Sequence, residues 1–151
     1  MTITVERADP RSPAATTLLE ASHAYLTSLY PPEDNYFLSI DALCAADIAF
    51  FIARSGQTVQ GCAALKSFPG YGEVKSMFVD PASRGSGAGA ALLASLETEA
   101  RRQGLGILRL ETGDTLDAAH RLYARHGFSV CGPFGAYSDG PHSVFMEKRL
   151  G

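Results

Sequence analysis

The 151-residue sequence contains no long apolar run, no basic block and no paired cysteines. No stretch approaches the ~18 apolar residues that a membrane-spanning helix needs, so no membrane partner is expected. The N-terminus has no basic segment followed by an apolar run, which predicts no signal peptide and makes the cytoplasm the expected location. The three cysteines form no CxxC pair, and we therefore expect neither a disulfide framework nor a metal site.

The composition is that of an ordinary folded domain. Hydrophobic residues make up 46% of the chain, charged residues make up 19%, and the formal net charge is −3. Disorder is not expected at this hydrophobicity, and a mildly acidic chain without a basic cluster is a poor partner for nucleic acid. The length suits one domain, which we expect to span residues 1–151 because no linker or internal repeat interrupts the sequence.

The order of apolar patterns predicts the elements β, α, α, β, β, β, α, β, α, β, β, a mixed α/β arrangement. The second helix is predicted at 40–45, and Asp114 and Asp117 resemble a capping box that opens the last helix. In the strand predicted at 73–79, simple alternation places Glu73, Lys75, Met77 and Val79 on one face.

A glycine-rich stretch between a strand and a helix carries the clearest chemical signal. Small residues leave several backbone N–H groups uncovered, and the start of the helix adds a partial positive charge. Such a turn favours a phosphate or pyrophosphate, and an arginine at its start adds a charged donor. The candidate contacts are Arg84, Gly85, Ser86, Gly87, Ala88, Gly89 and Ala90.

Two common phosphate-binding motifs do not fit this stretch. The nucleotide P-loop requires Gly-Lys-Ser/Thr, whereas Gly89 is followed by two alanines. The dinucleotide motif requires G-x-G-x-x-G near the first strand, whereas the glycines here are spaced G-x-G-x-G late in the chain.

The stretch does resemble the acyl-coenzyme A motif of the GNAT N-acetyltransferase superfamily, Gln/Arg-x-x-Gly-x-Gly/Ala. Arg84, Gly87 and Gly89 fill its fixed positions, and the later run 122–128, LYARHGF, resembles the family element Leu-Tyr-x-x-x-Gly-Phe. Segments 110–113, 131–137 and 143–148 further resemble a bacterial subgroup of small acetyltransferases. The resemblance extends from about residue 48 to 150. One departure is Leu116, where many members of the family carry Asn.

The resemblance implies a central, mostly antiparallel sheet of about six or seven strands flanked by about four helices. It also implies acetyl-CoA as the cofactor, with the main chain of Met77, Phe78 and Val79 beside the pantetheine arm. Tyr123 occupies the family's usual position for the general acid that protonates the departing thiolate, and it would also contact the cofactor.

The base is left open between two strand carboxylates, Glu73 and Glu111. A protonated amine has no lone pair, and amines titrate near 10.4 or 8, so a base is required at neutral pH. Each carboxylate also has a structural explanation, because Glu73 is placed to pair with Lys75 and Glu111 with Arg109. Glu111 has the further option of binding the substrate ammonium.

Aromatic residues are candidates for the wall of the acceptor site: Tyr30, Tyr36, Phe37 and Tyr137. The sequence therefore predicts an N-acetyltransferase that acts on a primary amine of a small molecule or a protein, by direct attack in a ternary complex. The alternative is a non-catalytic acyl-CoA-binding sensor or regulatory module. The resemblance also allows a homodimer through the C-terminal strands.

Overall fold

The structure is a computed structural model, and it describes residues 2–151. These residues form one seven-stranded sheet with three α-helices against it. The strands are β1 (Thr4–Arg7), β2 (Ile48–Ser55), β3 (Thr58–Phe68), β4 (Tyr71–Val79), β5 (Ile107–Gly113), β6 (Ser129–Cys131) and β7 (Ser143–Arg149). The helices are α1 (Pro13–Leu29), α2 (Ala88–Arg102) and α3 (Asp117–Arg125).

The strand order is β1-β2-β3-β4-β5-β7-β6. Every neighbouring pair is antiparallel except β4 and β5, which are parallel because α2 crosses between them. This confirms the expected mixed fold with a mostly antiparallel sheet.

The helices differ from the prediction in two respects. The segment predicted as a second helix contains only a single 3-10 turn, Ala42–Cys44, so three α-helices replace the expected four. The predicted capping box is wrong as well: α3 begins at Asp117 without a side-chain cap, and Asp114 instead pairs with His142 Nδ1 at 3.4 Å. Within residues 2–151, no helix is long and apolar enough to cross a membrane.

Apolar side chains cover both faces of the sheet because β2 and β3 alternate buried residues to opposite sides. Phe51 belongs to the core beneath α2, whose apolar stripe includes the fully buried Leu92 and Leu96. Phe50 belongs to a second core beneath α1, which contributes the fully buried Leu19. The two helices are thereby fixed on opposite faces of the central strands.

The sheet opens where its two parallel strands meet. β4 and β5 pair only at Gly72 with Leu108 and at Glu73 with Arg109. Beyond these pairs, residues 74–79 of β4 have no strand partner on the β5 side within the described chain. The main-chain polar groups along this edge are therefore available to a ligand.

A β-bulge at Ser76 changes the faces of β4. The register with β3 shifts between Cys62 and Ala64, and Ser76 has a φ of +54°. As a result Met77 and Val79 pack with Val74 against the core beneath α2, while Phe78 packs against the core beneath α1. The expectation that Glu73, Lys75, Met77 and Val79 share one face is wrong, because the extra residue reverses the alternation.

Candidate active site

A cleft of about 760 Å³ occupies the opening between β4 and β5. The glycine-rich turn and the first residues of α2 line one end, and the splayed edge of β4 lines the middle. Residues of α1, the loop 34–37 and the end of β5 line the other end, and α3 lies along the side. The cleft therefore joins the predicted phosphate site to the predicted acceptor wall.

The glycine-rich turn is held open by left-handed backbone. Gly85 and Gly87 have φ values of +80° and +95°, a region that glycine occupies without steric cost. The N–H of Ala91 is bonded to the carbonyl of Gly87, whereas residues 2–151 offer no hydrogen-bond partner to the N–H groups of Gly89 and Ala90. These uncovered donors at the positive end of α2 suit a phosphate group.

The third glycine of the turn allows two helices to approach. A Cβ atom built on Gly89 would lie 2.9 Å from Cδ2 of Leu122 in α3. Of the predicted phosphate contacts, only Ser86 lies outside the cleft lining: its Oγ accepts a hydrogen bond from the N–H of Ala88 at 3.3 Å. The remaining turn residues and the strand residues Met77, Phe78 and Val79 line the cleft as expected.

Tyr123 lines the cleft from α3 and is 6% exposed. Its ring packs 5.7 Å from that of Phe128, and its hydroxyl has no hydrogen-bond partner within residues 2–151. Burial raises the pKa of this hydroxyl far above its usual value, and the charge of Glu111 adds to the rise. The side chain therefore keeps its proton at neutral pH and holds it beside the cleft.

Glu111 lines the cleft from β5, opposite the splayed edge of β4. Burial raises the pKa of its carboxyl group, and the charge of Glu73 adds to the rise. The 2.9 Å hydrogen bond from Ser143 Oγ and the charge of Lys75 act in the opposite direction. The expected ion pair with Arg109 is absent, because Arg109 bonds Glu147 at 3.3 Å instead. Glu111 is thus a carboxylate with a raised pKa at the cleft surface.

Glu73 is 4% exposed and does not line the cleft. Its Oε2 accepts a hydrogen bond from the Tyr137 hydroxyl at 2.6 Å, and Lys75 Nζ lies 3.4 Å away. The ion pair with Lys75 that the sequence analysis offered as a structural role for Glu73 is therefore present. Lys75 lines the cleft, and the carboxylate lies behind it.

The predicted acceptor wall divides into lining and supporting residues. Tyr30, Tyr36 and Phe37 line the cleft, whereas Tyr137 lies behind it in contact with Glu73. The hydroxyl of Tyr30 is bonded to the Thr115 side chain at 2.5 Å and accepts its N–H at 3.2 Å. Tyr30 therefore joins α1 to the start of α3 and presents its ring rather than a free hydroxyl.

Sequence reasoning missed His23 as a lining residue. Its ring stacks on Phe37 at 4.2 Å, and its Nε2 is buried without a partner among residues 2–151. Burial lowers the pKa of this imidazole, which favours the neutral form. The available signal was helical spacing, because His23 lies three residues before Leu26 on α1 and both side chains line the cleft.

The turn that contains Leu116 is held by two hydrogen bonds to one carbonyl, and neither involves the side chain at position 116. His120 Nε2 bonds the carbonyl of Gly113 at 2.8 Å, and the N–H of Leu116 bonds the same carbonyl at 3.2 Å. The turn between β5 and α3 is thus braced without an asparagine.

Comparison with known proteins gives a consistent result. The model of the acetyltransferase (GNAT) family matches residues 15–128. The IAA acetyltransferase of Azospirillum brasilense is 45% identical over 150 residues, which cover 98% of each chain. A Klebsiella pneumoniae protein assigned as an acyl-CoA N-acyltransferase superimposes with a TM-score of 0.83 at 34% identity, over 99% of this chain and 98% of that one.

A more distant structure supports the fold alone. The PaiA N-acetyltransferase of Thermoplasma acidophilum, solved in complex with coenzyme A, has a TM-score of 0.72 at 19% identity, over 99% of each chain. The matched residues include the glycine-rich turn and Tyr123. The chain therefore belongs to the GNAT acetyltransferase family and is an acyltransferase that uses acetyl-CoA.

Proposed function

We propose that this protein transfers the acetyl group of acetyl-CoA to a primary amine by direct attack in a ternary complex. The observation that carries the proposal is that one cleft contains the phosphate-binding turn, Tyr123 and Glu111. A cofactor bound along the cleft and an amine entering from its other end would therefore meet beside two groups able to transfer protons.

The turn and the splayed strand fit the two parts of the cofactor. The uncovered N–H groups of Gly89 and Ala90 suit its pyrophosphate, and Arg84 adds a charged donor at the same end of the cleft. The unpaired edge of 74–79 offers main-chain groups to the amides of the pantetheine arm. The thioester of the bound cofactor supplies the acetyl group.

Glu111 suits the role of base better than Glu73. Its carboxylate lies at the cleft surface, and its raised pKa moves it towards the operating pH, where a general base is most efficient. Glu111 would hold the incoming ammonium and take its proton, directly or through a water molecule. The carboxylate of Glu73 lacks this access because Lys75 and Tyr137 enclose it.

Tyr123 suits the role of acid. A departing thiolate resembles a thiol with a pKa near 8.5 and leaves more readily when protonated. The hydroxyl carries its proton at that pH because burial raises its own pKa. The same raised pKa disfavours the tyrosinate, so the transfer depends on the negative charge that develops on the sulfur as the C–S bond breaks. Tyr123 would give this proton to the sulfur and recover one from solvent after the products leave.

The acceptor end combines a carboxylate with aromatic walls. Glu111 attracts a cationic amine, and Tyr36 and Phe37 offer apolar surface to the rest of the molecule. Since a 45% identical relative is named an IAA acetyltransferase, IAA belongs in the acceptor panel beside amino acids, polyamines and peptide N-termini. The cytoplasmic location, the single domain 1–151 and the homodimer stay predictions.

The first experiment is calorimetric titration of the purified protein with acetyl-CoA, with ATP and NAD as controls. We expect micromolar binding that is specific for acetyl-CoA, followed by release of free thiol when an amine of the panel is added. Binding without turnover on any acceptor would favour a non-catalytic acyl-CoA sensor. No binding to a folded protein would contradict the placement of the cofactor in the cleft.

A further inference from the structure

Lys75 uses all of its hydrogen-bonding capacity inside the protein. A lysine ammonium carries three N–H donors and no acceptor. Lys75 Nζ donates to the carbonyl of Tyr36 at 3.0 Å, to the hydroxyl of Tyr137 at 3.0 Å and to Oε2 of Glu73 at 3.4 Å. Its side chain is only 9% exposed although it lines the cleft. No donor remains for a substrate carboxylate.

The three partners belong to three separate parts of the chain. Tyr36 lies in the acceptor loop, residues 31–39 between α1 and β2, and Tyr137 lies in the crossing loop, residues 132–142 between β6 and β7. Glu73 precedes Lys75 on β4 itself. The rings of Tyr36 and Tyr137 also meet edge to face at 5.4 Å. Lys75 therefore joins both loops to the strand that borders the cleft.

The network of Lys75, Glu73 and Tyr137 has no net charge, and its side chains satisfy one another's hydrogen bonds. Glu73 neutralises Lys75, and Tyr137 both accepts from the ammonium and donates to the carboxylate. A fully satisfied buried network rigidifies its surroundings, whereas the loss of one member leaves unpaired polar atoms. Glu111, which accepts from Ser143 and not from Lys75, therefore keeps a charge at this end of the cleft that Lys75 does not neutralise by contact.

We propose that Lys75 is a positioning residue that fixes the acceptor loop and the crossing loop and thereby sets the affinity for the acceptor. Glu73 serves in the same network by compensating the charge of Lys75, and it is not the base. The kinetic part of this inference rests on the proposed acetyl transfer, whereas the structural part does not. Lys75 neither binds a substrate anion nor transfers a proton.

The first test measures loop order without any acceptor. In Lys75→Met, amide hydrogen exchange should accelerate about tenfold or more in residues 31–39 and 132–142 while the amides of α2 keep the wild-type rate. Because Met leaves the charge of Glu73 without the compensating ammonium, the double variant Glu73→Gln/Lys75→Met provides a second measurement with both charges removed. Lys148→Met is the control, since Lys148 pairs with Glu97 away from the cleft. Unchanged exchange in both loops of a folded variant would overturn the proposal.

The second test separates positioning from binding of an anion. With an amine that the wild-type protein acetylates, KM for the acceptor should rise about tenfold in both Lys75 variants, kcat should fall less than about threefold, and the Kd of acetyl-CoA should not change. Tyramine and tyrosine differ by one carboxylate, and KM should rise equally for both. A rise confined to tyrosine would show that Lys75 binds the carboxylate.

The pH profile tests Glu73. If the double variant loses the acidic limb of kcat/KM together with most of kcat, Glu73 is the base and the positioning role is wrong. If the wild-type protein acetylates no amine, the proposed function fails, and the exchange measurement still decides whether Lys75 orders the two loops.

Discussion

Replacement of Tyr123 by Phe isolates the proposed acid from its packing. The phenyl ring keeps the contact with Phe128 and the buried position beneath α2. The hydroxyl has no hydrogen-bond partner within residues 2–151, so its removal leaves no buried protein donor or acceptor unsatisfied. The free energy of unfolding should therefore change by less than about 1 kcal/mol.

The expected kinetic effect is far larger than the effect on stability. Loss of a general acid commonly costs about 10²-fold in rate or more, and 10²-fold corresponds to about 2.7 kcal/mol in activation free energy. Binding of acetyl-CoA should be retained because the turn and the edge of β4 are unaltered. In the wild-type protein, kcat should not fall through ionisation of Tyr123 below pH ~10, since burial raises the pKa of the hydroxyl above that ordinary value.

The assay is release of free thiol under saturating acetyl-CoA, with calorimetry for the Kd. Tyr71→Phe is the matched control, because Tyr71 lies at the start of β4 and outside the cleft lining. An unaltered kcat in Tyr123→Phe, with the chemical step shown to be rate-limiting, would remove Tyr123 from the role of acid. A loss of affinity as large as the loss of rate would make it a cofactor contact instead.

Three further substitutions and one control test the base and the turn. Glu111→Gln should lower kcat/KM about 10²-fold and abolish the acidic limb of its pH profile, because wild-type activity is lost as the pH falls through the raised pKa of Glu111. The raised pKa also means that ionisation of Glu111 lowers the stability of the folded protein as the pH rises. Chemical denaturation at pH 7 should therefore find the variant no less stable than the wild-type protein. Gly87→Leu and Gly104→Leu both place a side chain at positive φ, +95° and +75°, and each should lose about 1–2 kcal/mol of stability. Only Gly87→Leu should abolish the calorimetric signal of acetyl-CoA, and equal binding by both variants would contradict the phosphate site. Gly89→Val should weaken acetyl-CoA binding as well, because its Cβ meets Leu122 at 2.9 Å; wild-type affinity would show that α2 and α3 can separate freely.

The parts of the site that could be predicted from the sequence are those that depend on neighbours in the chain. The turn is built from consecutive residues, and the positive φ angles of Gly85 and Gly87 follow from the absence of side chains. The sheet with mostly antiparallel strands and the position of Tyr123 beside the cleft follow from the resemblance to the family. These features need no knowledge of distant contacts.

The enclosure of Glu73 could not be predicted in this way. Its principal partner, Tyr137, lies 64 residues further along the chain, and local alternation carries no information on how the crossing loop folds back. One signal for the altered strand did exist. A Cβ on Gly61 in β3 would lie 2.6 Å from the carbonyl oxygen of Phe78, and a glycine inside a strand often marks a bulge or a close backbone approach.

The bulge at Ser76 explains how one strand serves both ends of the cleft. Without the extra residue, strict alternation would place Lys75 and Met77 on the same face of β4. Since Met77 packs beneath α2, Lys75 would then lie on that face as well, and its ammonium would be directed away from Tyr36 and Tyr137. With the shift, Lys75 reaches the two loops on one side while Met77 and Val79 pack on the other. The register shift in β4 therefore lets one strand hold the two loops through Lys75 and pack against the core beneath α2 through Met77 and Val79.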